Sequence, residues 1–181
     1  MRRRVIDFVL RFAGRERSAW YKVLSLIIGA VFFLVLLPAV FIFIGGVASG
    51  YVGISFGRMI EIPVALACII LGLCVLLWST ASQWSVGKGT PAPSAPTRRL
   101  VIAGPYKYCR NPIELGAIIY YLGIGTLIAG ATAGAISFIL GFAIGSLYHK
   151  LVEEKELEER FGEAYKSYKR NTPFIIPRIR I

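Results

Sequence analysis

Residues 115–148 contain no aspartate, glutamate, lysine or arginine, and residues 23–87 contain only two charges, Arg58 and Glu61. The remaining charge is gathered at the edges of these blocks. Residues 1–22 hold seven Arg or Lys against Asp7 and Glu16, and residues 88–113 hold five cations and no acid. Only 17% of the chain is charged, and its mean hydropathy is +0.64, outside the range of ordinary soluble domains. Long uncharged blocks between basic segments describe an integral membrane protein.

The blocks can be measured against a bilayer, which needs about 20 mostly apolar residues per helical span. Residues 23–46 make one span, with a kink expected at Pro38 because the ring and the missing N–H disturb the preceding turn. Residues 62–82 make a second. The block 115–148 is too long for one span and breaks near "IAGATAG" (128–134), so it reads as two helices joined by a tight turn. The predicted fold is therefore an all-α membrane protein of about four transmembrane helices, the last two a hairpin. The first span is too long for a signal peptide, lacks its small-residue cleavage pattern, and is expected to stay.

Basic loops mark the cytoplasmic side. The N-terminus, the 88–113 loop and the C-terminal tail are all basic, and four spans place all three together, so both termini are expected in the cytoplasm. The formal net charge of +11 lies beside spans, where anionic lipid headgroups are its simplest partner. No nucleic-acid-binding or zinc pattern competes with that reading, so neither a nucleic-acid partner nor a metal is expected.

Smaller elements follow from local pattern. Residues 1–22 alternate arginine with Val5, Phe8, Val9 and Phe12, as in a short helix lying in the interface with its arginines outward. Residues 83–99 hold three prolines and two glycines and read as an extended loop. Gly141 and Gly145, four apart, suit close helix packing. Residues 153–170 form an amphipathic helix carrying Leu157, Phe161, Tyr165 and Tyr168 on one side, running into the cytoplasm and ending at "TPFIIPR" (172–178). Cys68 and Cys74 lie within the second span. Cys109, beside Arg110, reads as filler rather than as an activated thiol.

Two polar clusters carry chemistry. The stretch "GPYKYCRNPIELG" (104–116) contains a good helix start, with Asn111 as cap, Pro112 at the first helical position and Glu114 three after the cap. Capping does not account for Tyr106, Tyr108 and Arg110 just upstream, so cap and site both stay open. The second cluster is His149, one helical turn before Glu153, with Glu154 beside it. A hairpin returns these residues to the level of Asn111.

"GTPAPSAPTRRLVIAGPYKYCRNPIELG" followed by "EEKELEERFGEAYKSYKRNTPFIIPR" resembles the isoprenylcysteine carboxyl methyltransferase and phospholipid methyltransferase superfamily over roughly residues 83–178. The resemblance implies an integral membrane enzyme using S-adenosylmethionine and releasing S-adenosylhomocysteine. Beside the basic interfacial segment (1–22) and the two leading transmembrane helices (23–82) read from the residues above, it implies a methyltransferase core (83–181). By the same resemblance Leu100, Val101, Tyr106, Arg110, Asn111, Pro112, Ile113, Glu153 and Glu154 fall at cofactor-binding positions. His149 falls where eukaryotic relatives hold the prenylated substrate with an arginine, and Glu114 replaces a motif tyrosine.

The parts fit such chemistry. Glu153 can pair with the cofactor's ammonium and Arg110 with its carboxylate, while tyrosine rings cover adenine or sulfonium. The acceptor is lipophilic and arrives from the bilayer. Carboxyl O-methylation of an isoprenylcysteine-like acceptor leads, and it needs no base. Phospholipid amine N-methylation is the alternative, followed by a small lipophilic thiol or amine. An amine must lose a proton, which Glu114, Glu153 or His149 could take, so Glu114 and His149 are the catalytic candidates. A transporter is disfavoured by spans nearly free of ionisable groups. A structural adaptor is the other rival class.

Overall fold

The structure is a computed structural model that describes residues 2–13 and 16–178. Met1, Gly14 and Arg15 of the basic segment, and residues 179–181 of the core segment, lie outside the described residues. Among the described residues the regular structure is all helical: α1 (Arg2–Ala13), α2 (Ala19–Val31), α3 (Leu37–Ser49), α4 (Arg58–Ser85), α5 (Pro112–Ala129), α6 (Ala131–Tyr148) and α7 (Glu154–Asn171). A π-helical turn, Phe32–Leu36, joins α2 to α3, and another, His149–Glu153, joins α6 to α7.

Four helical runs among the described residues are long and apolar enough to cross a membrane: Ala19–Ser49, Arg58–Ser85, Pro112–Ala129 and Ala131–Asn171. The expected count of spans is met, and the break in the 115–148 block falls at Gly130, whose φ of +89° is natural only to glycine. The apolar part of the last run ends at Tyr148, after which charge recurs in each turn. Large apolar side chains on the spans face outward, as with Phe43 (73% exposed) and Ile70 (62%), which suits a lipid solvent.

The chain forms two compact units. One comprises Ala30–Leu76 and Ile113–Gly145, and the other the described parts of Met1–Gly29, Leu77–Pro112 and Ser146–Ile181.

In the Ala30–Leu76 unit, Pro38 shapes the first span as its sequence predicts. Proline offers no N–H, so the preceding turn opens to a π turn in which Leu37 N–H reaches back to Phe32 O. Carbonyls released there must be satisfied away from water. Tyr121 Oη donates to Phe33 O at 2.8 Å, and Tyr120 Oη donates to Leu34 O at 3.0 Å. Tyr121 also packs edge-on against Phe41, ring centroids 5.7 Å apart, in a cluster with Ala117.

Helix contacts in this unit run through small residues. A Cβ on Gly72 would stand 2.7 Å from Gly116 O and from Tyr120 N, so α4 and α5 touch backbone to backbone. Gly141 lies against Tyr121 and Gly145 against the carboxylate of Glu114, so both glycines serve α5–α6 packing. The far end is closed by Glu61, which is buried and whose Oε1 accepts from Phe56 N–H at 3.2 Å and Ala131 N–H at 3.4 Å. Arg58 Nη2 donates to Leu127 O at 3.1 Å. The only two charges of residues 23–87 thus tie loops to the hairpin.

Two substitutions should separate these contributions. Tyr121→Phe removes one hydrogen bond without changing shape and should lower stability in detergent by about 1 kcal/mol. Gly72→Val must push α4 and α5 apart and should cost about 1–3 kcal/mol. Thermal unfolding followed by circular dichroism reads both.

Candidate functional site

Of the sequence-predicted polar residues, all but Glu114 gather in the unit that includes Leu77–Pro112. Its framework starts at the end of α4. The chain turns back at Gly87, whose carbonyl accepts from Arg98 N–H at 2.6 Å and Arg99 N–H at 3.2 Å. Thr90, fully buried, closes the loop within by bonding Ala95 O through both its N–H (2.8 Å) and its hydroxyl (3.0 Å). The proline-rich segment expected to be extended is therefore a compact, internally bonded loop, and α4 continues through Ser85 before it begins. Three prolines limit the conformations available to the unfolded loop, which lowers the entropy lost in compacting it.

The 104–111 stretch is held by the tail that follows α7. Arg110 N–H donates to Pro173 O (2.9 Å), and Asn111 donates to Phe174 O through its backbone N–H (3.2 Å) and its side-chain Nδ2 (2.9 Å). Tyr168 Oη donates to Tyr106 O at 2.7 Å. The terminal "TPFIIPR" pattern thus has a physical task, which is to fix the tyrosine-rich turn.

These pieces line one open cavity. The proline loop lines it with Thr90, Pro93 and Thr97, and the segment that follows with Leu100 and Val101. Tyr106 and Arg110 enter from the turn, and Tyr148, Val152 and Glu153 from the end of α6 and its π turn. From α7 come Leu157, Phe161, Tyr165 and Tyr168, the apolar side read from the sequence. Gly162 makes that set possible: its φ of +53° breaks the helix between Phe161 and Tyr165, a conformation costly for any residue with a Cβ. Val9 of α1 contributes a further patch.

Charge in the walls is paired. Arg110 meets Glu154 at 3.0 Å, and Glu154 also holds Lys169 at 2.6 Å. Arg160 pairs with Glu156 and donates to Thr97 O, which ties α7 to the proline loop. His149 Nδ1 pairs with the Glu153 carboxylate. Burial alone would raise the Glu153 carboxyl, but the charge and hydrogen bond of His149, with Arg160 beyond, hold it below the ordinary carboxylate range. For Glu156 burial prevails over Arg160, and its carboxyl is raised. Burial, with Glu153 nearby, pushes the Tyr106 phenol well above its ordinary value, so Tyr106 keeps its proton.

The structure thus brings together Leu100, Val101, Tyr106, Arg110 and Glu153 around one cavity. Asn111 is engaged by the tail, and Pro112 opens α5. Glu154 faces Arg110 and Lys169, and His149 stands beside Glu153 with its ring 6.4 Å from that of Phe174. Ile113 and Glu114 belong to the other unit, where the Glu114 carboxylate packs on Gly145. Residues not singled out as site residues include Gln83, the proline loop, Tyr148 and Arg160. Only the amphipathic face of α7 carried a signal for its share.

Gln83 is notable among them. Its Nε2 donates to Tyr106 Oη at 2.7 Å, whereas its buried Oε1 has no hydrogen-bond partner among the described residues. A buried acceptor without a donor is costly. Cys109 is the opposite case. It is 1% exposed, and burial pushes its thiol up to about 11, so it is neither accessible nor ionised near neutrality. Maleimide at neutral pH should leave Cys109 unmodified in the folded protein and label it on denaturation, as mass spectrometry of the digested chain would show.

A family model described as "Phospholipid methyltransferase" matches residues 60–164, more than half of the chain. Methanethiol S-methyltransferase of Pseudomonas deceptionensis is 32% identical over 75 residues, covering 41% of this chain and 27% of that protein. Methanethiol S-methyltransferase 2 of Bradyrhizobium diazoefficiens is 31% identical over 74 residues, with 41% and 27% covered. The cobalt-zinc-cadmium resistance protein CzcN of Cupriavidus metallidurans is 30% identical over 82 residues, with 44% and 36% covered. The chain therefore spans about a quarter to a third of the length of these curated relatives. No solved structure is significantly similar to it.

Proposed function

The chain belongs to the phospholipid methyltransferase family, and from that premise we propose that it is a membrane-embedded methyltransferase that draws its methyl group from S-adenosylmethionine. The observation that carries this reading is the cavity in which Glu153, Arg110 and four tyrosines share one wall set. The methyl donor, when bound, supplies an electron-deficient methyl group on a sulfonium sulfur.

The residues present fit such a donor. Glu153 offers a carboxylate for an ammonium on the cavity wall, with its Oε2 on His149. Arg110 offers a guanidinium for a carboxylate, held in place by Glu154. Leu100 and Val101 supply apolar surface for a nucleoside, and the buried Oε1 of Gln83 supplies an acceptor. Tyrosine faces suit a cation. Asn111, Pro112 and Glu154 act in this proposal by fixing the turn and Arg110.

The acceptor follows from the charge pairing. Arg110 and Arg160, the two arginines on the cavity wall, are each matched by a glutamate. A carboxylate acceptor such as isoprenylcysteine would need a cation of its own, whereas a thiol or an amine needs a group to take its proton. His149 with Glu153 is suited to that task, because the carboxylate stabilises the imidazolium formed. The names of two relatives support a small lipophilic thiol. The family's name supports a phospholipid amine as the second reading, for which the same base serves. Four apolar helices and basic termini support a site and both termini on the cytoplasmic side.

Transfer of radiolabelled methyl from S-adenosylmethionine to an alkanethiol, a farnesylcysteine and total membrane lipid, compared side by side, tests the reading. The thiol should be labelled fastest, and labelling of farnesylcysteine alone would overturn the acceptor assignment. Glu153→Ala should weaken S-adenosylhomocysteine binding at least about tenfold. His149→Ala should lower kcat about 100-fold with little change in the donor's KM, and a more nucleophilic, pre-ionised thiol at high pH should restore part of the rate.

A further inference from the structure

Helix α1 lies outside the residues matched by the family, yet it forms part of the cavity. It is two-faced. Ile6 (2% exposed) and Val9 (7%) are buried, Val9 on the cavity wall, and the helix packs on α7 and on the π turn that carries Glu153. Arg3 anchors it through Glu159 at 2.8 Å. The opposite stripe is Arg4, Phe8 and Arg11, all exposed and spaced four and three apart, so they share one side of the helix. Phe8 and Phe12 stack with centroids 4.8 Å apart. Arg17, on the connection to the first span, lies over the rings of both Phe12 and Tyr21.

We propose that α1 is a wall of the methyl-donor cavity whose outer stripe binds anionic lipid headgroups, so that the charge of the membrane surface governs how firmly the donor is held. An aromatic ring between two arginines on one side of a helix that precedes an apolar span in the chain matches the boundary between acyl chains and phosphates. Each arginine near an anionic surface gains attraction that a zwitterionic surface does not supply. The helix cannot leave its seat without uncovering Val9 and the turn bearing Glu153, so lipid attraction on one face stabilises the cavity on the other. The reading rests on the cavity being the donor site.

The full-length protein would be placed in nanodiscs of phosphatidylcholine alone or mixed with phosphatidylglycerol. S-adenosylhomocysteine affinity would be measured by calorimetry, and amide exchange of residues 2–13 by mass spectrometry. The expected result is affinity about fivefold tighter and slower exchange of α1 in the anionic discs. S-adenosylhomocysteine carries no large net charge, so the surface potential alone does not concentrate it. Arg4→Ser with Arg11→Ser should abolish the lipid effect and leave the affinity in phosphatidylcholine unchanged. Val9→Trp should weaken binding in both discs. Equal affinity and equal exchange in the two discs, or a lipid effect that survives the double variant, would overturn the inference alone. Absence of binding in every disc would instead overturn the donor-site reading on which it stands.

Discussion

A backbone carbonyl buried in hydrocarbon has no water to bond, and the arrangement of the Ala30–Leu76 and Ile113–Gly145 unit follows from that constraint. Pro38 withdraws one N–H from the first span, and the chain answers in two ways. The helix widens to a π turn at Phe32–Leu36, and two phenols from α5 reach the carbonyls of Phe33 and Leu34. The phenols can reach only because the helices approach closely, which the glycines of α4, α5 and α6 permit. Proline, tyrosines and glycines are thus one device, and each would be a liability without the others.

The unit bearing the cavity solves a different problem, which is to hold a short, irregular turn rigid. Residues 104–111 have little regular structure beyond one 3₁₀ turn, so their geometry comes from outside: from Pro173 and Phe174, from Tyr168 and from Gln83. Ion pairs then distribute charge along the walls. Glu154 is the hub, because it holds Arg110 on one side and Lys169 on the other, with Lys169 reaching on to Glu158 at 3.0 Å. Of two adjacent glutamates, one is therefore engaged in structure while the other faces the cavity beside His149.

Much of the fold could be read in advance because bilayer spans announce themselves by length and by the absence of charge. Span ends were less legible: α4 runs on through Gln83 and Trp84, since a helix continues past its apolar face where tertiary partners exist. The proline loop misled for a related reason. Pro and Gly signal the absence of a helix but not whether the loop is open or closed, and Thr90 decides that through contacts with Ala95. Helix α1 was visible as a pattern of Arg, Val and Phe, but its buried side is Ile6 and Val9, while Phe8 faces out. Ile6, Phe8 and Val9 are all apolar, and contact with the neighbouring helix decides which of them is buried. Glu114 carried cap and catalytic readings together, and its position against Gly145 depends on a contact with another helix, which local pattern does not encode.

The balance of charge around the cavity bears on what kind of reaction its walls favour. A displacement that joins a cation and an anion into neutral products is favoured by low polarity, because the charge being annihilated loses little solvation there. The walls are made of Tyr106, Tyr148, Tyr165 and Tyr168 with Leu100, Val101 and Leu157, and the wall arginines are already matched by carboxylates. Such surroundings give an anionic acceptor little rest in the ground state, and they give a neutral acceptor none of the charge it needs. A group that ionises the acceptor only at the moment of reaction resolves the difficulty. In the function proposed above, that group is His149, whose neutral imidazole would take the proton while the adjoining Glu153 carboxylate stabilises the imidazolium formed. The same proposal needs Glu153 ionised, since a neutral Glu153 would neither hold an ammonium nor support its histidine, and its carboxyl does lie below the ordinary carboxylate range.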